Sequence, residues 1–213
     1  MNNNLKEVVF ILDRSGSMSG LEGDTIGGYN SVLGRHKSDD VNAYVSTVLF
    51  NDESEVIHDR VRIQDITPMT PEDYFPSGCT ALFDAVGDAI KHIRLVHKYA
   101  REEDRPSKTL FVITTDGLEN ASNRYNASQV KEMVEQQKNE GWEFLFLGAN
   151  IDAIKEAGQI GISRNRATNY HNDEKGISEV YACLDLCMSE VLFELPIDDD
   201  WDKKVKEDFE SRW

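Results

Sequence analysis

The sequence is poor in cysteine and in positive charge and has no long apolar run, and each shortage removes a class of function. Cys79, Cys183 and Cys187 are the three cysteines in 213 residues, an odd number at no metal-ligand spacing, which argues against a disulfide framework and against a zinc site. Cys183 and Cys187 sit one helical turn apart and read as packed free thiols of a reducing compartment. Lys and Arg total 23 against 39 Asp and Glu, a formal net charge of -16. Such a chain repels phosphate backbones and anionic lipid heads, so neither nucleic acid nor a membrane surface is an expected partner. No window approaches ~18 consecutive apolar residues, and the opening MNNNLKEVVF lacks the basic-then-apolar pattern of a secretory leader. A soluble, cytoplasmic chain is expected, in which the N-x-S triplets at Asn120 and Asn126 are idle.

Two catalytic signatures are also missing. In GSMSG the central position is Met18, where a serine-hydrolase elbow carries its nucleophile. No G-K-[ST] follows the first apolar run, which excludes a P-loop. The histidines, His36, His58, His92, His97 and His171, fall in helical or late segments or in a hairpin strand, and none belongs to the loops singled out below.

What is present is alternation. Apolar runs at Val8 to Leu12, Ala43 to Phe50, Thr109 to Thr114 and Trp142 to Leu147 read as strands buried on both faces. Amphipathic stretches between them read as helices: Leu21 to His36, Ala81 to Tyr99, Ser128 to Asn139, Asp152 to Gly158 and Ile177 to Leu195. Together they predict an α/β domain with a doubly wound, mostly parallel sheet and helices on both faces. Glu55 to Ile63 follows Phe50 after a turn too short for a crossover helix, so it is expected as an antiparallel edge strand. Asn126 and Gln129 have capping-box spacing, and Gly141 supplies a left-handed stop. Gly27 and Gly28 fall inside the first helix, where glycine is unfavourable, and imply either a break or close packing. One domain is expected over residues 1–197, followed by an acidic, charged tail over 198–213 that is exposed or forms a short helix anchored by Trp201 or Phe209.

In open parallel sheets, ligands bind at the carboxyl ends of the strands. Three turns there carry oxygen donors. DRSGS places Asp13, Ser15 and Ser17 after the first strand, SGCT places Thr80 at the start of a helix, and TTDG places Asp116 after a strand as apolar as the first. Two carboxylates and three hydroxyls, with no imidazole or thiolate, suit a hard divalent cation. Taken singly, each turn is equally well a helix cap or a common Asp-Gly turn; their order and shared edge favour one site.

With these residues in place, the sequence resembles the von Willebrand factor type A domain, also called integrin I-like, from Glu7 to about Pro196. The family's metal-ion-dependent adhesion site is D-x-S-x-S, then a threonine, then an aspartate, matched here by Asp13, Ser15, Ser17, Thr80 and Asp116. ILDRSGSM and ITTDGLENAS look like small stand-alone bacterial or phage members, some of them similar to proteins of tellurite-resistance and stress operons. The resemblance implies a monomeric, non-enzymatic protein-binding module. Its bound Mg2+, with Mn2+ or Ca2+ as alternatives, takes a carboxylate from an Asp or Glu of the partner. Arg14 either meets that carboxylate or is a solvated loop residue; Glu119 and Asn120 either shape the rim a partner reads or merely begin the next loop. The competing reading is a Mg2+-dependent phosphatase of haloacid-dehalogenase type, whose second acidic residue falls where this chain has Ser15, a side chain unable to shuttle protons near neutral pH.

Overall fold

Nine consecutive buried residues, Leu5–Asp13, form β1 at the centre of a six-stranded sheet. The computed structural model describes residues 4–37 and 41–212. β2 (Asn42–Phe50) and β4 (Lys108–Thr115) flank β1 in parallel, β5 (Trp142–Ala149) and β6 (Ala167–Tyr170) extend one side, and β3 (Ser54–Arg62) closes the other antiparallel to β2, giving the order β3-β2-β1-β4-β5-β6. The expected hairpin edge is therefore present.

Side chains alternate along β1 into two cores. Val8, Phe10 and Leu12 join the core beneath α1 (Glu22–His36) and α5 (Glu174–Leu192). Val9 and Ile11 join the core beneath α2 (Leu82–Tyr99), α3 (Ala127–Asn139) and α4 (Ala153–Gln159). Burial on both faces is why the strands read as unbroken apolar runs. The capping box of α3 forms as expected, and Gly141 adopts φ 86° after its end.

Three expectations change. β6 was not foreseen: its sequence ATNY is short and half polar, and its place comes from parallel pairing with β5. The last long helix starts earlier, because Asp173 accepts a hydrogen bond from the Gly176 N–H and caps it; it also ends earlier, leaving Leu195 exposed while Ile177, Tyr181, Leu184, Met188 and Val191 are buried. Beyond Pro196 the described chain is not an exposed tail. α6 (Lys203–Ser211) packs on the fold through Ile197, Trp201 and Val205, which join the first core. Trp201 is the expected anchor, with its indole N–H donating to the Asn165 carbonyl at 2.9 Å. Trp213 lies outside the described residues.

The glycine pair of α1 resolves into two different cases. A Cβ at Gly28 would lie 2.2 Å from the Tyr181 ring of α5, whereas one at Gly27 would meet nothing within 4 Å. Gly28→Ala is therefore expected to destabilise the protein by about 1–3 kcal/mol through overpacking. Gly27→Ala should stabilise it by about 1 kcal/mol through helix propensity. Urea melts of both variants check the opposite signs.

Candidate functional site

The strand order reverses between β1 and β4, so the loops that leave these two strands diverge and open a crevice at the carboxyl edge. Asp13 ends β1 and Asp116 follows β4 directly. The third loop, ahead of α2, is bound to the first by backbone hydrogen bonds, Gly16 N–H to Gly78 O at 3.1 Å and Ser77 N–H to Arg14 O at 2.9 Å. Gly78 has φ 73°, and a Cβ there would fall 1.7 Å from Asp52 Oδ1, the atom that accepts from the Cys79 N–H at 3.0 Å. Only glycine fits this turn, which carries Thr80 into place.

Those contacts bring the oxygen donors together. The Ser15 N–H donates to Asp13 Oδ1 at 2.7 Å, and the Ser15 and Ser17 hydroxyls are hydrogen-bonded at 3.1 Å. Ser17 Oγ donates to Asp116 Oδ1 at 2.5 Å, so the first loop and the loop after β4 meet through one short bond. Gly117 sits against the remaining member: a Cβ on it would lie 3.1 Å from Thr80 Oγ1 and 3.7 Å from Ser17 Oγ. Asp13, Ser15, Thr80 and Asp116 are buried, and Ser17 is exposed. Met18 packs beneath the loop, as its apolar character implied.

Burial pushes the Asp13 carboxyl up to about 6 against hydrogen bonds from Thr115 and Ser15, with the Asp116 charge adding to the rise. Burial also raises Asp116, against hydrogen bonds from Ser17 and Asn172. Among the described residues, neither carboxylate has a cationic partner. Two buried anions without a counter-charge, joined by hydroxyls, form a donor set that fits a hard divalent cation. Among the described residues, no three His, Cys, Asp or Glu side chains converge as a metal cluster; the set gathered here is two carboxylates and three hydroxyls.

Arg14 is committed inward and is not the solvated loop residue of the second alternative. It is 7% exposed, pairs with Glu55 at 2.8 Å, donates to the Asp73 carbonyl at 3.3 Å and lies 5.3 Å from the Phe75 ring centre. The reason is steric: Arg14 alternates with Asp13 and Ser15, so it points away from them into the hairpin. Glu119 and Asn120 hold loops together. Glu119 accepts from the N–H groups of Phe83, Ala121 and Ser122 and from the Ser122 hydroxyl, while Asn120 and Thr80 exchange two hydrogen bonds, at 2.9 and 3.0 Å. The outer rim is instead apolar: Phe75 and Leu118 are 55% and 56% exposed on the loops that bear Thr80 and Asp116.

Three supporting residues escaped the sequence reading. Thr115 Oγ1 donates to Asp13 Oδ2 at 2.6 Å, the buried Tyr74 hydroxyl donates to the Asp13 carbonyl at 2.6 Å, and Asn172 Nδ2 donates to Asp116 Oδ2 at 3.0 Å. Thr115, next to Asp116 in TTDG, was the one with a visible signal.

No protein-family model matches the sequence, and neither does any curated protein. Solved structures do match in fold. Proximal thread matrix protein 1 from the mussel byssus superposes with a TM-score of 0.58 at 16% identity, over 85% of this chain and 45% of that one. A second structure of it carries a zinc-occupied MIDAS motif. A von Willebrand factor type A protein from Catenulispora acidiphila gives 0.55 at 14% identity, over 85% of this chain and 42% of that one. The von Willebrand factor domain of the type V pili tip protein Mfa5 from Porphyromonas gingivalis gives 0.56 at 10% identity, over 85% and 95%. The chain spans less than half the length of the first two. With its topology and these likenesses, the chain has the von Willebrand factor type A fold. Among the described residues, no helix is long and apolar enough to cross a membrane.

Proposed function

We propose that this chain is a cytoplasmic, monomeric protein-binding module that holds Mg2+ through Ser15, Ser17 and Thr80, with Asp13 and Asp116 supplying charge, and takes up an Asp or Glu side chain of its partner. The observation that carries this reading is the pair of buried carboxylates linked through Ser15 and Ser17 with no cationic side chain among them. Mn2+ and Ca2+ are the alternatives; the all-oxygen set favours hard ions over the zinc named for the mussel protein. When bound, the cation would supply an electrophilic centre for an outside oxygen. Neutral hydroxyls leave most of its charge unquenched, and no bond is broken. Asp13 is fixed by Thr115 and Ser15, and Asp116 by Ser17 and Asn172, so the donors are set before a ligand arrives.

The exposed Phe75 and Leu118 describe the rest of the partner: its acidic residue is flanked by apolar side chains that cover this rim. Arg14, committed to Glu55, contributes by fixing the loop, and Glu119 and Asn120 do the same for the rim. The buried free thiols Cys183 and Cys187 suit a reducing compartment. Affinity capture from host extract, run with Mg2+ and with EDTA on wild type and Thr80→Ala, tests the reading. Proteins retained by wild type only with Mg2+, and lost from Thr80→Ala, are the expected result; an identical retained set in EDTA refutes it.

A further inference from the structure

The hydrogen bond from Asn172 to Asp116 comes from a part of the chain that the cation reading does not otherwise use, the connection between β6 and α5. Its geometry is one-sided. Asn172 Nδ2 donates to Asp116 Oδ2 at 3.0 Å, while Asn172 Oδ1 is buried and meets no hydrogen-bond donor among the described residues. A buried amide oxygen without a donor is unfavourable, and such groups in a folded protein call for an explanation. Turning the amide over would not relieve it, because Oδ1 would then stand against the Asp116 carboxylate.

Nor is the backbone free to move the side chain away. His171 Nε2–H donates to the Phe209 carbonyl at 3.1 Å, and its ring stacks on Phe209 with centroids 4.6 Å apart. Asp173 caps α5 through the Gly176 N–H at 2.8 Å and receives Arg212, just beyond α6, at 2.5 Å. Gly176 has no room for a side chain, since a Cβ there would lie 2.0 Å from the His171 carbonyl oxygen. Asn172 is thus held between two fixed neighbours, with its amide N–H aimed at one oxygen of Asp116 and the other oxygen left to Ser17.

We propose that Asn172 is a positioning residue of the cation site: its amide orients the Asp116 carboxylate from the side opposite Ser17, and the unsatisfied Oδ1 is the structural cost of that orientation. The inference rests on the cation reading above. It differs from a packing role in the sign of its effects. Packing loss lowers stability and affinity together, whereas removal of an orienting amide with an unpaired oxygen weakens the ion and leaves the ion-free fold as stable or more so. Partners that orient metal ligands typically change affinity by about 10–100-fold when removed.

The test measures Mg2+ affinity by calorimetry and melting in EDTA for wild type, Asn172→Leu, which keeps the volume, and Asn172→Ala, which keeps the fold if leucine is too large. The expected result is Mg2+ affinity about 10–100-fold weaker in both variants, with EDTA melting temperatures equal to or above that of wild type. Wild-type affinity in the variants overturns the role of Asn172 while leaving the cation site standing. Affinity and EDTA melting temperature falling together also overturn it, in favour of packing. Wild type that takes up no Mg2+ overturns the cation reading and this role with it.

Discussion

Mg2+ is expected to raise the melting temperature of the wild-type protein and to leave that of Asp116→Ala unchanged. At a free concentration ~10 times the dissociation constant, the wild type gains about 1.4 kcal/mol. The sign of the variant's ion-free stability separates a cation site from a set of helix caps. Asp13 and Asp116 are buried with their pKa values raised, so removing one carboxylate relieves repulsion and desolvation even as the hydrogen bonds from Ser17 and Asn172 are lost. Ion-free Asp116→Ala should therefore lose little stability or gain some. A cap behaves differently, since its loss costs ~1 kcal/mol with or without metal. Thr80→Ala keeps both charges and should retain a weakened response. Thermal melting of the three proteins across a Mg2+ series gives the answer, and a wild-type curve indifferent to several millimolar Mg2+ and Mn2+ alike would remove the site as a property of the free protein.

Asp84→Asn should cost the protein about 2–3 kcal/mol at neutral pH. The carboxylate, buried in the first turn of α2, accepts from the backbone N–H groups of Asn123, Arg124 and Tyr125 at 3.1, 3.0 and 2.9 Å and from Arg124 Nε at 3.3 Å. Hydrogen bonds to a charged acceptor contribute about 1.5–3 kcal/mol each in favourable cases, and their sum here is reduced by the desolvation of the same group. Burial alone would raise its pKa, but the backbone N–H groups and Arg124 outweigh it and hold the carboxyl below the ordinary value. A depressed folded pKa means that this stability is present above the unfolded value near 4 and drains away as pH falls through the folded one. The gap between wild type and Asp84→Asn in urea melts should be widest near pH 7 and narrow steadily below pH 4. A gap that stays constant into acid would show that the charge contributes nothing.

Smaller in effect, but with a clear sign, is His58. Its ring is buried against Tyr29, Thr47 and Thr67, and burial lowers its pKa against the raising effects of Thr67 and Asp73. The unfolded chain then binds a proton more readily than the folded one, so stability falls as pH drops through ~6.5, the unfolded value. His58→Gln should flatten that part of the pH–stability curve.

How much of this was legible depended on how local each signal is. The central strands announced themselves because both faces are buried, so no polar residue interrupts Val8 to Leu12 or Leu110 to Ile113. β6 gave no such signal: Thr168 and Asn169 fit an edge position that only pairing with β5 defines. The start of α5 was missed because Asp173 and Gly176 cap it from within a polar stretch. At the site, the D-x-S-x-S spacing is a contiguous word, and the two later donors each follow a recognisable turn or strand. Tyr74 and Asn172 act across the fold, reaching Asp13 and Asp116 from loops whose approach depends on strand order. Arg14 misled for a local reason: alternation along the turn sends it away from its neighbours, and only the hairpin partner Glu55 reveals where it goes.

The antiparallel hairpin strand β3 also decides how the molecule meets its own copies. As one edge of the sheet, it has a row of backbone groups to which another strand can add, and exposed flat edges are where sheets grow into aggregates. Here the edge is unsuited to that. Its pairing with β2 shifts register between Val45 and Val48, Arg60 sits at φ 50°, and Glu55, Asp59 and Arg62 stand exposed along nine residues. An incoming strand meets a kinked ribbon of charge. Strand addition is thus discouraged on this flank, and under the proposed function recognition falls to the loop-bearing end of the sheet, where specificity would rest on side-chain chemistry instead of generic backbone pairing.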